Sequence, residues 1–207
     1  MTDNNTTKPV YTIGYTLFPD INNMMSVLKS REIDVIIDVR SSPWSKTFPQ
    51  YNKPNLMKAC EANGLYYRHY SRGFGARQRS REFSVDGQVN FERFSDSEQF
   101  QEGVRKVIAS AQAGYTLCLF CAEKDPIICH RSILIGRVLH ERGVGVIHIT
   151  SAGRETQEEL EQRLIDLHFP HRDQAQIWED PLSPEEMRQE AYRRQNWKIG
   201  YRLENFA

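Results

Sequence analysis

The sequence predicts an α/β fold: a three-layer α/β/α domain with a mostly parallel sheet and a helical C-terminal extension. In the first two thirds of the chain, short runs rich in Val, Ile and aromatic residues alternate with stretches in which apolar residues recur every three or four positions. Strands and helices that alternate in this way form a parallel sheet covered by helices. We expect residues 1–150 to form the core domain and residues 151–207 to form an extension packed on it.

Five strands and six helices are predicted. The strands are residues 10–14, 33–39, 65–70, 115–121 and 144–149, where β-branched and aromatic residues favour the pleated backbone. The helices are residues 21–29, 55–62, 97–111 and 132–142 in the core, and residues 156–168 and 184–194 in the extension. Gly64, Gly114 and Gly143 follow three of the helices, at the position where glycine commonly ends a helix.

Residues 71–95 are predicted as a long loop, because they hold glycines, little apolar period and an Asp86-Gly87 pair typical of tight turns. Loops of this length are usually functional or disordered. Arginines alternate with aromatic residues within this loop and just before it. The arginines are Arg68, Arg72, Arg77, Arg79 and Arg81. Aromatic rings can stack bases while arginines hold phosphates, so this region is either a nucleic-acid contact or a solvated surface.

The composition excludes several classes of protein. The 27 Lys and Arg residues balance 27 Asp and Glu residues, so no global charge indicates a nucleic-acid or membrane partner. No apolar run approaches the ~20 residues that span a bilayer, and the polar N-terminus lacks the pattern of a secretion signal. Four cysteines are too few for a disulfide framework. We therefore expect a cytoplasmic protein with reduced thiols and no membrane partner.

Chemistry is expected at the carboxyl ends of the strands, where ligands bind in parallel sheets. Reactive side chains follow the first four strands. They are Tyr15 after the first, Asp38, Arg40 and Ser41 after the second, Arg68, His69 and Arg72 at the third, and Cys121, Glu123, Cys129, His130 and Arg131 after the fourth. Asp38 and Arg40 either form a structural ion pair or leave Arg40 free to bind an anionic substrate bidentately.

The segment after the fourth strand predicts a nucleophilic thiol. A strand, a loop and a helix N-terminus present backbone N–H groups beside Cys121 and Cys129, and such a place binds anions. The helix dipole, together with His130 or Arg131, is expected to lower the pKa of a thiol there and make it a better nucleophile. The alternative is that both cysteines are small buried apolar residues.

Zinc binding is a second use of the same residues. Cys121, Cys129, His130 and His69 are ligand types that zinc prefers, but their spacing matches no standard zinc motif. Cys118 and Cys121 lie three apart in a strand and point to opposite faces, which excludes them as a chelating pair. We therefore expect no cofactor, with a structural zinc as the less favoured alternative.

Two functions from different classes fit these residues. The first is an enzyme acting on a nucleotide, a nucleic acid or another anionic, phosphate-bearing substrate, with Cys121 or Cys129 as nucleophile. Protons are then handled by Asp38, His69, Glu123 or His130, and the substrate is bound by Tyr15, Arg40, Ser41, Arg68, Arg72, Arg77, Arg79 and Arg131. Without thiol chemistry, Asp38 and Glu123 can act as a carboxylate pair of the kind used on glycosidic bonds. The second function is a nucleotide-binding or nucleic-acid-binding module without catalysis.

A series of ordered motifs resembles the family known as domain of unknown function 488. The motifs are residues 12–16 (TIGYT), 37–45 (IDVRSSPWS), 48–51 (FPQY), 119–123 (LFCAE), 129–132 (CHRS), 148–149 (HI), 191–195 (AYRRQ) and 198–202 (KIGYR). The resemblance extends over nearly the whole chain. It implies no activity, because the family is named for its lack of an established function.

A weaker similarity is to rhodanese-like domains. These pair an Asp-Val-Arg at a strand end with a cysteine loop that closes on an arginine and opens a helix, as residues 38–40 and 121–131 do here. In the rhodanese pattern about four residues separate the cysteine from the arginine, whereas nine separate Cys121 from Arg131 and a second cysteine intervenes. The similarity implies sulfur transfer, from which this longer loop departs.

Overall fold

The computed structural model describes residues 7–172 and 182–203. The strands are β1 (Val10–Gly14), β2 (Val35–Asp38), β3 (Tyr66–His69), β4 (Ser84–Val85), β5 (Gln88–Val89), β6 (Leu117–Cys121), β7 (Val146–Thr150) and β8 (Gly153–Thr156). The helices are α1 (Ile21–Lys29), α2 (Lys53–Ala62), α3 (Ser71–Phe74), α4 (Phe91–Ser95), α5 (Glu98–Gln112), α6 (Arg137–Glu141), α7 (Gln157–His168) and α8 (Pro184–Ile199).

Six strands form one sheet in the order β3-β2-β6-β1-β7-β8. Every neighbouring pair is parallel except β7 and β8, which confirms the predicted α/β fold with a mostly parallel sheet. β6 is buried along its whole length and lies between β2 and β1. The carboxyl ends of five strands therefore meet at one edge of the sheet.

Two apolar layers cover the faces of this sheet. On one face, Phe120 of β6 packs with Met24 and Leu28 of α1 and Leu56 of α2. On the other face, the residues of β6 pack against α5, α6, α7 and α8; they are Leu117, Leu119 and Cys121. Cys118 belongs to the first cluster and Cys121 to the second, which confirms that they point to opposite faces.

The elements differ from the sequence pattern at a few points. α2 begins at Lys53 rather than at residue 55, with a proline in its first turn. The helix predicted at residues 132–142 begins with a π-helical stretch, Arg131–Gly136, before α6. β8 was not predicted: its sequence GRET has a single β-branched residue, and pairing with β7, not propensity, makes it a strand.

Residues 71–95 are organised into short elements. α3 follows β3, and the antiparallel hairpin of β4 and β5 precedes α4. The hairpin turns at Asp86 and Gly87, whose φ angles are +47° and +76°, which confirms the predicted turn. Two consecutive positive φ angles belong to the two-residue turn that suits hairpin twist.

The C-terminal helices are joined to the rest of the chain by hydrogen bonds. In α8, the Gln195 side chain donates to the Ile127 carbonyl at 2.8 Å, and the Asn196 side chain donates to the Val89 carbonyl at 3.0 Å. Parts of both predicted units lie outside the described residues, namely 1–6, 173–181 and 204–207. Within the described ranges, no helix has both the length and the apolar character needed to cross a membrane.

Candidate active site

Cys121 and Cys129 lie at the two ends of one loop. Cys121 ends β6, and Cys129 follows a 3₁₀ turn, Pro126–Ile128, that is capped by Asp125. The Cys129 backbone is extended, and its carbonyl accepts the N–H of Ile133 at 3.1 Å. Cys129 thus occupies the N-cap position of the following helical segment. The structure therefore brings together two cysteines that are eight positions apart in sequence.

Four side chains at these loop ends form a cluster that we call the thiol cluster: Cys121, Glu123, Cys129 and His130. One Glu123 carboxylate oxygen lies 3.2 Å from the Cys121 sulfur and 3.0 Å from the Cys129 sulfur. The Nδ1 atom of His130 lies 3.9 Å from each sulfur. Its Nε2–H donates to the Val39 carbonyl at 3.1 Å, which turns Nδ1 toward the thiols. The ligand atoms of the two cysteines and His130 all lie within 4.8 Å of one another, so these three residues could hold a metal ion.

The protonation states of the cluster are coupled. Burial opposes ionisation of Cys129, but a hydrogen bond from Cys121 and the positive charge of Arg131 outweigh burial and leave the pKa of Cys129 well below its ordinary value. The same hydrogen bond and burial raise the pKa of Cys121. Burial and the Cys129 charge raise the pKa of Glu123. Although burial acts to lower it, the pKa of His130 is raised by its hydrogen bond with Cys129. Negative charge therefore concentrates on Cys129.

The members of the cluster differ in access to solvent. Cys121 and Cys129 are 3% and 1% exposed, and His130 is 8% exposed. Glu123 is only partly buried. Glu123 is therefore the most exposed residue of the cluster.

Arg131 is fully buried beside the cluster. Its guanidinium donates to the backbone carbonyls of Glu123, at 2.5 Å, and Lys124, at 3.5 Å. Its Nε–H donates to the Thr12 hydroxyl at 3.2 Å. Among the described residues, Arg131 forms no ion pair with a carboxylate. Its hydrogen bonds instead hold the loop that carries Glu123, and its positive charge acts on the two thiols of the cluster.

Gly14, at the end of β1, contacts the same loop and fixes its position. A Cβ atom at this position would lie 1.7 Å from the Glu123 carbonyl oxygen. The next turn adds two hydrogen bonds, since the backbone N–H and the hydroxyl of Thr16 donate to the Ala122 carbonyl at 3.1 and 2.8 Å. Only glycine allows this approach of two backbones, so Gly14 sets the position of Glu123.

A buried chain of hydrogen bonds leads away from Arg131. The Thr12 hydroxyl donates to Nδ1 of His148 at 2.8 Å, and Nε2 of His148 donates to the Gln157 side chain at 2.9 Å. Gln157 donates to the Tyr192 hydroxyl, which donates to Glu161, both at 2.8 Å. Burial and the charge of Arg131 lower the pKa of His148 to about 3, so the imidazole is neutral. These hydrogen bonds were not predicted from the sequence. The available signal was one polar residue in each of two buried strands, Thr12 in β1 and His148 in β7.

Asp38 and Arg40 form an ion pair, which is the first of the two alternatives predicted for them from the sequence. Two guanidinium nitrogens of Arg40 donate to the two Asp38 oxygens at 2.8 and 2.6 Å. Tyr67 donates to Asp38 at 2.7 Å, and Arg40 also donates to the Tyr51 carbonyl at 3.0 Å. Arg40 is 5% exposed, and its guanidinium lies 5.4 Å from the ring of the buried Tyr15. Burial opposes the charge, but the Asp38 hydrogen bonds leave the pKa of Arg40 raised.

His69 and Ser41 lie near this ion pair rather than in the thiol cluster. The His69 Nε2–H donates to the Arg40 carbonyl at 2.9 Å, and His69 is not among the grouped metal-ligand atoms. The Ser41 hydroxyl accepts the backbone N–H of Arg77 at 2.8 Å, which ties the 71–95 segment to the end of β2. Arg77 itself lies 5.8 Å from the ring of Tyr201.

The remaining predicted substrate arginines are exposed: Arg68, Arg72 and Arg79. The Arg72 guanidinium reaches Gln99 at 3.4 Å. Arg68 lines a cavity of about 600 Å³ between α5 and β3, together with His69 and Lys106. A second cavity, of about 550 Å³, adjoins the Glu123 loop and is lined by Lys124, Arg154 and other residues. Neither cavity is lined by the thiols.

Comparison with known proteins gives one match. The family model described as domain of unknown function DUF488 matches residues 20–138, more than half of the chain. Comparison with curated proteins and with solved structures finds no match. The matched range contains the whole thiol cluster and the Asp38–Arg40 pair, and the similarity to rhodanese-like domains stays a prediction.

Proposed function

The chain belongs to the DUF488 family, and from that premise we propose that it is an enzyme acting on an anionic, phosphate-bearing substrate at the thiol cluster. The family assigns no reaction, so the proposal is drawn from the site. Its main support is the position of Glu123: its backbone is fixed by the contact with Gly14 and by a hydrogen bond from the buried Arg131, and its side chain lies beside both thiols in a partly exposed residue.

The burial of the sulfurs favours Glu123 as the group that exchanges a proton with the substrate. At 3% and 1% exposure, neither Cys121 nor Cys129 meets a bound molecule unless the loop opens. A positioned carboxylate at hydrogen-bond distance from the reacting group contributes about 10²- to 10⁴-fold to a rate. The cavity beside this loop is lined by three cations, Lys124, Arg154 and Arg163, and by three carboxylates, Asp125, Glu155 and Glu159. Arg163 is paired with Asp125 and Glu155, so the exposed Lys124 and Arg154 are the cations that a phosphate group would meet there.

Replacing Glu123 by Gln tests the enzyme proposal. The protein is incubated with ATP, with AMP and with a single-stranded oligonucleotide, and the products are identified by liquid chromatography and mass spectrometry. We expect turnover of at least one of these probes and a loss of ~100-fold or more in Glu123→Gln. The matched control is Glu61→Gln, an exposed residue at the end of α2, which should retain the wild-type rate. Equal rates in both variants contradict the proposal.

A non-catalytic nucleic-acid-binding module is the second candidate. The observation that favours it is a set of exposed arginines; within the described residues, Arg68, Arg77 and Arg79 form no ion pair. Arginines that neutralise phosphates release counterions, which makes binding weaken as salt rises.

Salt-dependent binding distinguishes this candidate. Anisotropy of a labelled single-stranded oligonucleotide is measured at rising salt for wild type and for Arg77→Ala with Arg79→Ala. For a binding module we expect weaker binding and a salt slope reduced by ~1.4, or ~0.7 for each lost phosphate contact. Arg31→Ala, between α1 and β2, serves as the control. No binding, or a slope equal in all variants, excludes the module.

A further inference from the structure

We propose that Cys121, Cys129 and His130 bind one zinc ion, with its fourth position open to a water molecule beside Glu123. The proposal goes beyond the enzymatic role and holds whether or not the protein turns over a substrate. It rests on the arrangement of three donor groups around one point, on the orientation of His130 and on the position of the Glu123 carboxylate beside both sulfurs.

The distances match the spacing of zinc ligands. Zinc is bound at about 2.3 Å by sulfur and about 2.0–2.1 Å by imidazole nitrogen, so a tetrahedral ion sets these two ligands about 3.6 Å apart. Nδ1 of His130 lies 3.9 Å from each of the two sulfurs, within a few tenths of an ångström of that value. Three ligand atoms that zinc prefers, two thiol sulfurs and one imidazole nitrogen, therefore already face a common centre.

His130 is oriented as a metal ligand. In metal sites, the ring nitrogen that does not bind the metal commonly donates to a backbone carbonyl or a carboxylate, which fixes the tautomer. The Nε2–H of His130 donates to the Val39 carbonyl at 3.1 Å, leaving the Nδ1 lone pair directed at Cys121 and Cys129. A histidine that only filled the core would not need its second nitrogen equidistant from two thiols.

The charges balance when zinc is present. Two thiolates neutralise the Zn²⁺ ion, which leaves the negative charge of Glu123 beside the positive charge of Arg131. In the described structure Arg131 is fully buried and bonded only to a hydroxyl and to backbone carbonyls. A buried charge is costly unless it is compensated. With zinc bound to two thiolates, the adjacent Glu123 carboxylate still compensates Arg131, so the cluster can hold the ion without leaving that charge unbalanced.

Glu123 defines the kind of site. A zinc ion with three protein ligands keeps one position open for water or substrate, whereas a structural zinc has four protein ligands. One Glu123 oxygen lies 3.2 and 3.0 Å from the two sulfurs, on the partly exposed side of the cluster. Glu123 does not belong to the group of ligand atoms that lie within 4.8 Å of one another, so we assign it a hydrogen bond to a water molecule at the open fourth position. Zinc in this place would make Glu123 the neighbour of a metal-bound water, consistent with its proposed role in proton transfer.

Metal content of the full chain tests the proposal. The protein is purified without added metal. Its metal content is measured by inductively coupled plasma mass spectrometry, and the zinc ligands are identified by X-ray absorption spectroscopy at the zinc edge. We expect about one zinc per chain, with two sulfur neighbours and two nitrogen or oxygen neighbours. Less than a tenth of a zinc per chain, with both cysteines free or joined in a disulfide, overturns the proposal.

Variants separate a built site from adventitious zinc. Cys129→Ser and His130→Ala should each weaken zinc binding by more than ~100-fold, since even outer-sphere partners of a metal are worth about 10- to 100-fold. The control is Cys60→Ser, which changes a buried cysteine of α2 outside the cluster. If a ligand variant fails to fold, the wild-type protein is loaded with cobalt in place of zinc. Charge-transfer absorption from thiolate to cobalt supports the proposed site, and absence of this absorption overturns the proposal. Zinc retained equally by all variants also overturns it.

The same samples separate this proposal from the enzymatic one. Glu123→Gln should keep its zinc while losing turnover. Zinc in the wild type without turnover of any probe supports the metal site and contradicts the enzyme. Turnover that depends on Glu123 in a protein without zinc supports the enzyme and overturns the metal site.

Discussion

Gly14 determines where the loop of the site lies, and Arg40 forms the ion pair beside that loop. Gly14 faces Cys121 across the β1–β6 pair, and the loop after β6 crosses directly over it. Arg40 is held between Asp38 and a ring of Tyr15. Both contacts are buried, so a change at either residue is expected to appear first as a change in the free energy of unfolding.

Gly14→Ala should destabilise the protein by roughly 1–3 kcal/mol or more, because its Cβ would lie 1.7 Å from a backbone oxygen that cannot yield as a side chain does. Gly145→Ala is the control: its nearest neighbour would lie at 3.6 Å, an ordinary contact, and its stability should be unchanged or higher by up to about 1 kcal/mol. Urea unfolding of both variants measures the difference. Equal stability of the two variants would show that the loop moves freely.

Asp38→Asn should cost about 3–5 kcal/mol, because it leaves the Arg40 charge buried without its partner. The double variant with Arg40→Met should be less destabilised than Asp38→Asn alone, since it removes both charges. A double-mutant cycle by urea unfolding gives the coupling energy. If the two single effects simply add, the ion pair does not stabilise the fold, and Arg40 becomes available for the substrate role predicted from sequence.

The sequence predicted which residues meet at the carboxyl edge of the sheet. It did not predict which hydrogen bonds each of them forms there. Cys121, Glu123, Cys129 and His130 were expected together because they flank one strand end and one helix start. Their mutual geometry was not predictable, since the loop that joins them is held by residues distant in sequence, such as Gly14, and has no periodic pattern. His69 was expected at the same place but bonds to Arg40 instead, because β2 separates β3 from β6 in the sheet.

At the scale of elements, periodicity predicted all five parallel strands, the five longest helices and the helical segment made of Arg131–Gly136 and α6, because each buries one face. It missed β8, whose strand form comes from pairing with β7. It also gave no sign that α7 and α8 share a buried polar contact. Such contacts join residues distant in sequence, such as Gln157 and Tyr192, and leave no periodic signal.

Tyr192→Phe tests whether α8 is fastened to the rest of the chain by that contact. Removing the hydroxyl takes away one hydrogen-bond partner from the buried Gln157 amide and one from Glu161, which should lower the free energy of unfolding by about 1–3 kcal/mol. Tyr66→Phe, at a side chain that is 59% exposed, should change stability by less than about 0.5 kcal/mol. Thermal and urea unfolding compare the two variants; a loss below that of Tyr66→Phe would mean that α8 is held by apolar packing alone.

At the scale of the whole molecule, His148 should make the protein sensitive to acid. Its pKa is lowered to about 3 by burial and by the charges of Arg131 and Arg163, against an ordinary value of 6.5. Between these two pH values the unfolded chain binds a proton that the folded chain does not. Stability therefore falls as pH falls below 6.5, by about 1.4 kcal/mol for each pH unit from this group.

His148→Gln isolates the contribution of this histidine. Glutamine keeps one acceptor and one donor for Thr12 and Gln157 but takes up no proton. Urea unfolding between pH 4.5 and 6.5 should show a steeper loss in the wild type than in the variant. His168, whose pKa is lowered, and His130, whose pKa is raised, act in opposite directions and are present in both proteins. Parallel stability curves for the two proteins would contradict the buried neutral imidazole.

The strand order has a consequence for the growing chain on the ribosome. When β1, β2 and β3 have been synthesised, only β2 and β3 can pair, because both neighbours of β1 are β6 and β7, which come later. Contacts between distant parts of a chain form slowly. The sheet closes when β6 inserts between β2 and β1, and that strand ends at Cys121. A nascent chain therefore cannot complete its core without also bringing the first cysteine of the cluster into place.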